Sequence, residues 1–156
     1  MIDMSARVIG LFVSQGGVPK LPIDSLEVKK SGCLGDKQND LKHHGGINKA
    51  VCILQNCIIE ELQRKGHPIT PGSTGENILI DGCEIGEICP GTIIKFEDLV
   101  IEITQDAPPC KTISESFKEN QFNLISHKKY PNYTRWYGKV LQEGNITVDE
   151  KFELIS

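Results

Sequence analysis

Most of the chain consists of short runs in which residues are apolar or alternate between apolar and polar. Turns rich in glycine and proline separate these runs. An apolar, β-branched run over residues 6–13 predicts a first strand. Apolar and charged residues alternate over Ser25–Lys29, which is typical of a strand that is buried on one face. The apolar run 50–54 has the length of a buried strand.

One segment has the period of an amphipathic helix. Apolar side chains fall on one side of residues 57–65, and charged or amide side chains fall on the other. Asn56 is in position to cap the N-terminus of this helix, and Gly66 is in position to end it. A second, short helix is expected over 114–120, where it would bury Phe117.

The remaining apolar runs predict further strands and an overall architecture. These strands are expected over 76–80, 92–96, 99–104, 137–141 and 151–155. The spacing of 92–96 and 99–104 predicts a hairpin, and a turn is expected at 144–145. This pattern favours a mainly β protein, a closed or partly closed β-barrel with one or two helices, as a single domain over 1–156.

Composition and charge narrow the classes of partner. The chain has 156 residues, 38% of them hydrophobic, and a net charge of -4, so no general attraction to nucleic acid or to an anionic membrane is expected. No apolar run approaches the roughly 18 residues that span a bilayer. The N-terminus lacks the layout of a signal peptide. We therefore expect a cytoplasmic protein with a small-molecule substrate, no nucleic acid and no membrane.

The six cysteines do not have the spacing of a structural zinc site or of a secreted disulfide framework. Cys52 and Cys57 lie beside apolar residues and are expected to be buried, whereas Cys33, Cys83 and Cys89 fall in glycine-rich turns. Cys110 differs from all of these. It follows two prolines at the end of a predicted strand, so it is held on a stiff arm, and the adjacent Lys111 favours a thiolate. The residues alone leave open whether this thiol is reactive, ligates a metal or is an idle surface thiol.

The segment 32–50 combines four glycines with two aspartates, two histidines, three lysines and a glutamine. Glycine leaves room for the backbone to lie close to a ligand, so the segment suits a polar, anionic ligand. A long solvated turn has the same composition. His43 and His44 are neighbours, so in an extended chain they point to opposite faces and at most one of them faces such a site.

Five motifs occur in an order that resembles the MOSC domain, the module at the C-terminal end of molybdenum-cofactor sulfurases that also occurs alone in bacteria. The motifs are Gly-Gly-Val-Pro-Lys (16–20), Gly-x-x-Gly-Asp-x-Gln (32–38), His-His-Gly-Gly-x-x-Lys-Ala-Val (43–51), Pro-Gly-x-x-Gly-Glu-Asn (71–77) and Pro-Cys (109–110). The resemblance extends over nearly the whole chain. It implies a fold like the β-barrel domain of pyruvate kinase.

The resemblance also implies a cofactor, molybdopterin with its molybdenum, and a role for Cys110 as the thiolate ligand of the metal or as a sulfur carrier. For the phosphate end of the cofactor it implies Gly45, Gly46 and Lys49, with His43 or His44 and Arg135. For the pterin it implies Asp36, Gln38, Glu76 and Asn77. No basic residue lies just before Cys110, so Lys111 or the loop 127–135 is expected to supply the positive charge there.

Three functions are consistent with these residues. The first is an oxidoreductase that reduces N-hydroxylated substrates with a separate electron donor, as related members do. The second is a sulfur carrier that accepts persulfide on Cys110 from a separate cysteine desulfurase, since these 156 residues do not include the aminotransferase-like domain of the sulfurases. The third is a non-catalytic module whose segment 32–50 holds a small anion.

Overall fold

Strands make up most of the regular structure in residues 6–37 and 46–155, the part of the chain that this computed structural model describes. The strands are β1 (Arg7–Val13), β2 (Leu21–Ile23), β3 (Ser25–Lys29), β4 (Gly32–Cys33), β5 (Val51–Gln55), β6 (Ile78–Asp81), β7 (Ile93–Lys95), β8 (Val100–Ala107), β9 (Arg135–Gln142), β10 (Gly144–Thr147) and β11 (Glu153–Ile155). The α-helix is α1 (Asn56–Arg64), and short 3₁₀ helices cover Ile47–Lys49, Lys111–Ser116, Lys118–Asn120 and Phe122–Ile125.

Eight of the strands form one sheet in the order β11-β7-β8-β9-β5-β6-β1-β2. Strands β5 and β6 run parallel, which α1 and the following turns make possible, because a parallel pair needs a long crossover. The pairs β7–β8 and β8–β9 are antiparallel, and Ile103 lies opposite Gly138 in the second of them. A smaller sheet has the order β10-β3-β4.

The core lies between the faces of these sheets. Ile53, Ile78 and Ile101 have no solvent-exposed surface, and Trp136 is equally buried among them in one cluster. A second cluster forms where Ile58, Ile59 and Leu62 of α1 pack against the outer side of the sheet. Removal of these side chains from water is the main favourable contribution to folding.

The structure confirms the mainly β architecture and most of the predicted elements. The hairpin of 92–96 and 99–104 is the β7–β8 pair, and the predicted first strand is β1. The amphipathic helix is α1, and the backbone N–H of Gly66 closes its last turn on Gln63. No helix in residues 6–37 and 46–155 has both the length and the apolar character needed to cross a membrane.

Three local predictions were wrong. Asn56 does not cap α1, because Gln55 occupies the cap position and the Asn56 side chain instead donates to Glu60 Oε1. The turn expected at 144–145 is the start of β10, which pairs with β3. The helix expected over 114–120 is a series of 3₁₀ turns, although Phe117 is buried as expected.

Backbone hydrogen bonds also join β1 and the residue before it to the segment that precedes β11. Strands β1 and β11 are far apart in the strand order of the large sheet. Val8 N–H donates to Glu150 O at 2.8 Å, Asp149 N–H donates to Val8 O at 2.8 Å, and Phe152 N–H donates to Ala6 O at 3.3 Å. These bonds bring β1, the last strand but one of the large sheet, close to the segment that leads into β11 at the opposite end. Full closure into a barrel stays a prediction.

Gly138 provides a test of how tightly β8 and β9 pack. A Cβ at this position would lie 2.5 Å from Ile101 Cγ2 and 3.3 Å from Glu102 O, so Gly138→Ala forces a fully buried isoleucine to move. We expect it to lower the free energy of unfolding by about 1–3 kcal/mol, measured by urea denaturation. Lys139→Ala, on the adjacent half-exposed position, is the control and should change it by less than about 0.5 kcal/mol. Equal losses in the two variants would contradict this account of the packing.

Candidate functional site

A buried ion pair fixes the first part of the glycine-rich segment. Lys20 Nζ lies 2.7 Å from Asp36 Oδ2, and the two side chains are only 5% and 4% exposed. Asp36 Oδ1 accepts a hydrogen bond from the Ser14 backbone N–H at 2.9 Å. The second carboxylate oxygen also accepts from Asn77 Nδ2 at 2.9 Å. The carboxylate of Asp36 therefore has at least three partners among the described residues, as a buried charge requires.

Asn77 connects three parts of the chain through its side-chain amide. Its Nδ2 donates to Phe12 O as well as to Asp36, and its Oδ1 accepts from the Cys52 backbone N–H at 3.0 Å. Because Phe12 belongs to β1 and Cys52 to β5, this one side chain fixes the glycine-rich segment against two central strands. Its role in the structure is to hold the site together.

Glu76 organises the turn that contains the Pro-Gly-x-x-Gly-Glu-Asn motif. It is fully buried, and its Oε2 accepts from Gly72 N–H at 2.6 Å while its Oε1 accepts from Thr74 Oγ1 at 2.8 Å. Gly72 in turn accepts a backbone hydrogen bond from Lys20. Glu76 and Asn77 thus use their polar groups on the protein itself, and the pterin contact predicted for them stays a prediction.

Arg135 lies at the start of β9, not in the preceding loop as the sequence predicted, and it is only 5% exposed. Its Nη1 donates to Thr74 O at 2.6 Å, and its Nη2 donates to Ala107 O at 3.2 Å and to Pro108 O at 3.0 Å. The guanidinium therefore brings a positive charge to the arm of Cys110, where the sequence has no basic residue just before the cysteine.

The four buried charges of this region balance one another around Cys52. Burial raises the pKa of the Cys52 thiol to about 11, while the cations Arg135 and Lys20 lower it and the anions Glu76 and Asp36 raise it further. The geometry places these side chains in one cluster, because Lys20 Nζ lies 2.7 Å from Asp36 Oδ2, Lys20 and Arg135 both come within 4.0 Å of a Cβ placed on Gly75, and Arg135 and Glu76 both bond to Thr74. We call Lys20, Asp36, Glu76 and Arg135 the buried charge cluster.

An open cavity of about 290 Å³ lies beside the glycine-rich segment. Its lining residues are Lys29, Ser31, Gly32, Cys33, Leu34, Gly35, Asp36, Lys49 and Ala50. Gly35 and Gly46 both have positive φ, and no atom lies within 4 Å of the point where a Cβ would be placed on either. Lys49 Nζ lies 5.4 Å from the centre of the Tyr137 ring, so this cation is held at the cavity by a cation–π contact. The predicted residues Gln38, His43, His44 and Gly45 lie outside the described residues.

Cys110 is exposed at the end of the arm that follows β8. Its Sγ lies 2.8 Å from Thr112 Oγ1, and the 3₁₀ helix Lys111–Ser116 begins directly after it, with Lys111 also exposed. Thr112 lines a second cavity of about 180 Å³, together with Val18, Pro19, Pro68, Ser73, Ile113, Glu115 and Ser116. Cys110 is not among the residues that line the 290 Å³ cavity.

Cys110 is one of two exposed cysteines among the six. Cys33, Cys52 and Cys83 are buried, and burial raises the pKa of Cys33 to about 12 and that of Cys83 to about 12. Cys33 forms part of β4, so its placement in a turn was wrong. Cys57 is half-buried, and Cys89 is exposed as Cys110 is. Within residues 6–37 and 46–155 there is no group of three or more His, Cys, Asp or Glu side chains that would hold a metal ion.

Sequence reasoning did not identify Lys20 or Thr112 as parts of the site. Lys20 ends the Gly-Gly-Val-Pro-Lys motif, so its position in a motif was a signal, but its buried partner Asp36 lies 16 residues away. Thr112 lies only two residues after Cys110. This short separation in sequence could have indicated that its hydroxyl contacts the sulfur.

Comparison with known proteins identifies relatives across most of the chain. The family model of the MOSC domain matches residues 40–153. YflK of Bacillus subtilis (strain 168), described as an uncharacterized protein, is 28% identical over 144 residues, which are 90% of this chain and 63% of that protein. YiiM of Escherichia coli (strain K12) is 23% identical over 144 residues, which are 89% of this chain and 63% of that protein. The chain therefore spans less than two thirds of the length of these relatives.

Solved structures share the fold. The YUAD protein of Bacillus subtilis superposes with a TM-score of 0.78 at 17% identity, and the match covers 96% of this chain and 94% of that one. The structure of YiiM from Escherichia coli gives a TM-score of 0.68 at 19% identity, over 96% of this chain and 70% of that one. At these identities the likeness shows the arrangement of strands and does not by itself show an activity.

The Lys20–Asp36 pair provides a test of the buried charge cluster. Asp36→Asn removes the counter-charge of a buried ammonium, so we expect the free energy of unfolding to fall by about 3–5 kcal/mol in urea denaturation. The control is Asp149→Asn at the Arg7–Asp149 pair, which has a similar distance of 2.6 Å but exposed side chains. That change should cost less than about 1 kcal/mol. A small loss in Asp36→Asn would show that the buried pair does not stabilise the site.

Proposed function

Because the chain belongs to the MOSC domain family, we propose that it binds the molybdenum cofactor, molybdopterin, and reduces N-hydroxylated small molecules with electrons from a separate donor. The observation that carries this proposal is the exposed thiol of Cys110, on an arm that the buried charge cluster holds through Arg135. Of the six cysteines, three are buried and one is half-buried, so few thiols are open to a ligand.

The chemistry of the available residues fits this cofactor. Molybdenum in molybdopterin is held by dithiolene sulfur, and a single exposed thiolate is a soft ligand that completes such a set. Cys110 would be that ligand, and the hydroxyl of Thr112 at 2.8 Å would orient its sulfur. The cofactor, when bound, supplies the redox chemistry, while the protein positions it and excludes competing ligands.

The cavity beside the glycine-rich segment fits the anionic end of the cofactor. The open space at Gly35 and Gly46 lets a ligand approach the backbone, and Lys49 provides positive charge at the rim. As the resemblance implies, Gly45 and one of His43 and His44 would also bind the phosphate, and Gln38 would bind the pterin. Asp36 and Asn77 would act indirectly, because their polar groups hold the segment in place.

The remaining parts of the proposal concern the scaffold and the chemistry at the arm. The hydrogen bonds between β1 and residues 149–152 support a sheet that closes into a barrel, with the glycine-rich segment and the cysteine arm on its outside. Lys111, exposed beside Cys110, would attract the anionic groups of the cofactor to the arm. A small substrate would then enter from the 180 Å³ cavity, which reaches Cys110 through Thr112.

A second candidate function is that of a sulfur carrier, and the exposure of Cys110 favours it. A protein donor reaches an exposed thiol without a conformational change. In this reaction the Cys110 thiolate attacks the outer sulfur of the donor's persulfide, the S–S bond of the donor breaks, and the donor leaves as a thiolate. The product is a persulfide on Cys110, which then passes its outer sulfur to another acceptor.

The first function predicts that molybdenum content and activity depend on Cys110. Protein made in a host that produces the cofactor should contain molybdenum and pterin, and it should reduce members of a panel of N-hydroxylated bases and amidoximes. Cys110→Ser should lower metal retention and turnover by at least about tenfold, because it removes the proposed soft ligand. Cys89→Ser, which changes the other exposed cysteine, should leave both unchanged. Absence of molybdenum from the wild type and from Cys110→Ser alike would contradict the proposal.

The second function predicts a covalent adduct that does not require molybdenum. Incubation with a cysteine desulfurase and cysteine should add the mass of one sulfur atom, and peptide mapping should place it on Cys110. Cys110→Ser should show no adduct, whereas Cys89→Ser should show the same adduct as the wild type. An adduct on Cys89 and Cys110 in equal amounts would indicate reaction with any exposed thiol, and it would count against a carrier role.

A further inference from the structure

We propose that Arg135 is a positioning residue for Cys110. This inference rests on the proposed function in one respect, namely that Cys110 is the reactive thiol. The sequence suggested Arg135 as a ligand of the cofactor's phosphate. In the structure its terminal nitrogens instead donate to three backbone carbonyls, those of Thr74, Ala107 and Pro108. The structure therefore assigns the guanidinium to the backbone that carries the cysteine.

The arm needs such a partner because its own sequence ends the strand pairing. The last register pair between β8 and β9 joins Ala107 to Arg135. Pro108 and Pro109 have no backbone N–H, so the arm cannot continue the ladder as a donor. The carbonyls of Ala107 and Pro108 still need donors, and the side chain of Arg135 supplies them from the neighbouring strand.

The third hydrogen bond connects the arm to the buried charge cluster. Arg135 donates to the carbonyl of Thr74, whose hydroxyl donates to Glu76. Glu76 also accepts from Gly72 N–H, and the carbonyl of Gly72 accepts from the backbone of Lys20. A continuous set of hydrogen bonds thus runs from the arm of Cys110 to the Lys20–Asp36 pair, so the positions of the cysteine and of the glycine-rich segment are coupled.

The geometry also explains why arginine occupies this position. A planar guanidinium reaches three carbonyls in fixed directions, whereas an ammonium group on a flexible stem does not hold that arrangement. The Nε of Arg135 is buried without a hydrogen-bond partner among the described residues. An unsatisfied buried donor destabilises the fold, and the three hydrogen bonds of the terminal nitrogens offset that cost.

Hydrogen exchange on the full-length protein without cofactor tests this inference. In Arg135→Lys the amides of residues 107 and 110–113, which include the Ile113 N–H that donates to Cys110 O, should exchange about tenfold faster than in the wild type, because the arm has lost hydrogen bonds to a charged group. Amides of β3 and β10, in the smaller sheet, should be unchanged. Lys139→Ala, which changes a half-exposed basic residue of the same strand, should leave the exchange of the arm unchanged.

Thiol alkylation in the same samples separates positioning from general stability. The rate at Cys110 relative to the exposed Cys89 should rise in Arg135→Lys, while the buried Cys33 and Cys52 should stay unreactive. If Arg135→Lys does not fold, Arg135→Gln takes its place. Unchanged exchange of the arm would overturn the inference, and so would faster exchange throughout the chain with alkylation of the buried cysteines. Neither measurement requires molybdenum, so a protein that fails to bind the cofactor would refute the proposed function without deciding this one.

Discussion

The Lys20–Asp36 ion pair is the interaction on which the rest of the site depends. Both side chains are almost fully removed from water, and a buried charge is tolerated only with a counter-charge and with hydrogen bonds to its remaining polar atoms. Asp36 meets this requirement with bonds from Ser14, Asn77 and Lys20, which lie in different parts of the chain. The requirement for satisfied charge therefore fixes how the glycine-rich segment sits on the central strands.

The same constraint extends to the second buried pair of charges. The buried carboxylate of Glu76 accepts a hydrogen bond from Gly72 within the turn 72–76. Arg135 connects that turn to the arm of Cys110 through its hydrogen bonds to Thr74 and Pro108. The polar residues of the motifs thus form a rigid framework, whereas among the described residues the thiol of Cys110 and the backbone at Gly35 and Gly46 are accessible, and Lys49 lines the cavity. A framework of this kind pre-organises a site, because its members are already held by one another before a ligand binds.

The strands and the helix were predictable from the sequence because their signals are local. The alternation of apolar and charged residues in Ser25–Lys29 and the apolar stripe of α1 each indicate which face of the element is buried. In the structure these apolar faces are buried. The helix cap at Asn56 and the turn at 144–145 were wrong because short polar segments leave several local solutions, and pairing with β3 decided the second. Most of the candidate site residues were predicted as motif members, but the sequence does not show that Arg135 faces carbonyl groups or that Lys20 meets Asp36. Those contacts depend on tertiary structure.

The most direct test of the account is the number of sulfur ligands on molybdenum in protein loaded with the cofactor. Extended X-ray absorption fine structure at the molybdenum edge measures this number for the wild type and for Cys110→Ser, in whatever fraction of the variant retains metal. The account predicts one Mo–S bond fewer in Cys110→Ser than in the wild type, because the cysteine supplies the protein's own ligand. The same sulfur count in both proteins would contradict it.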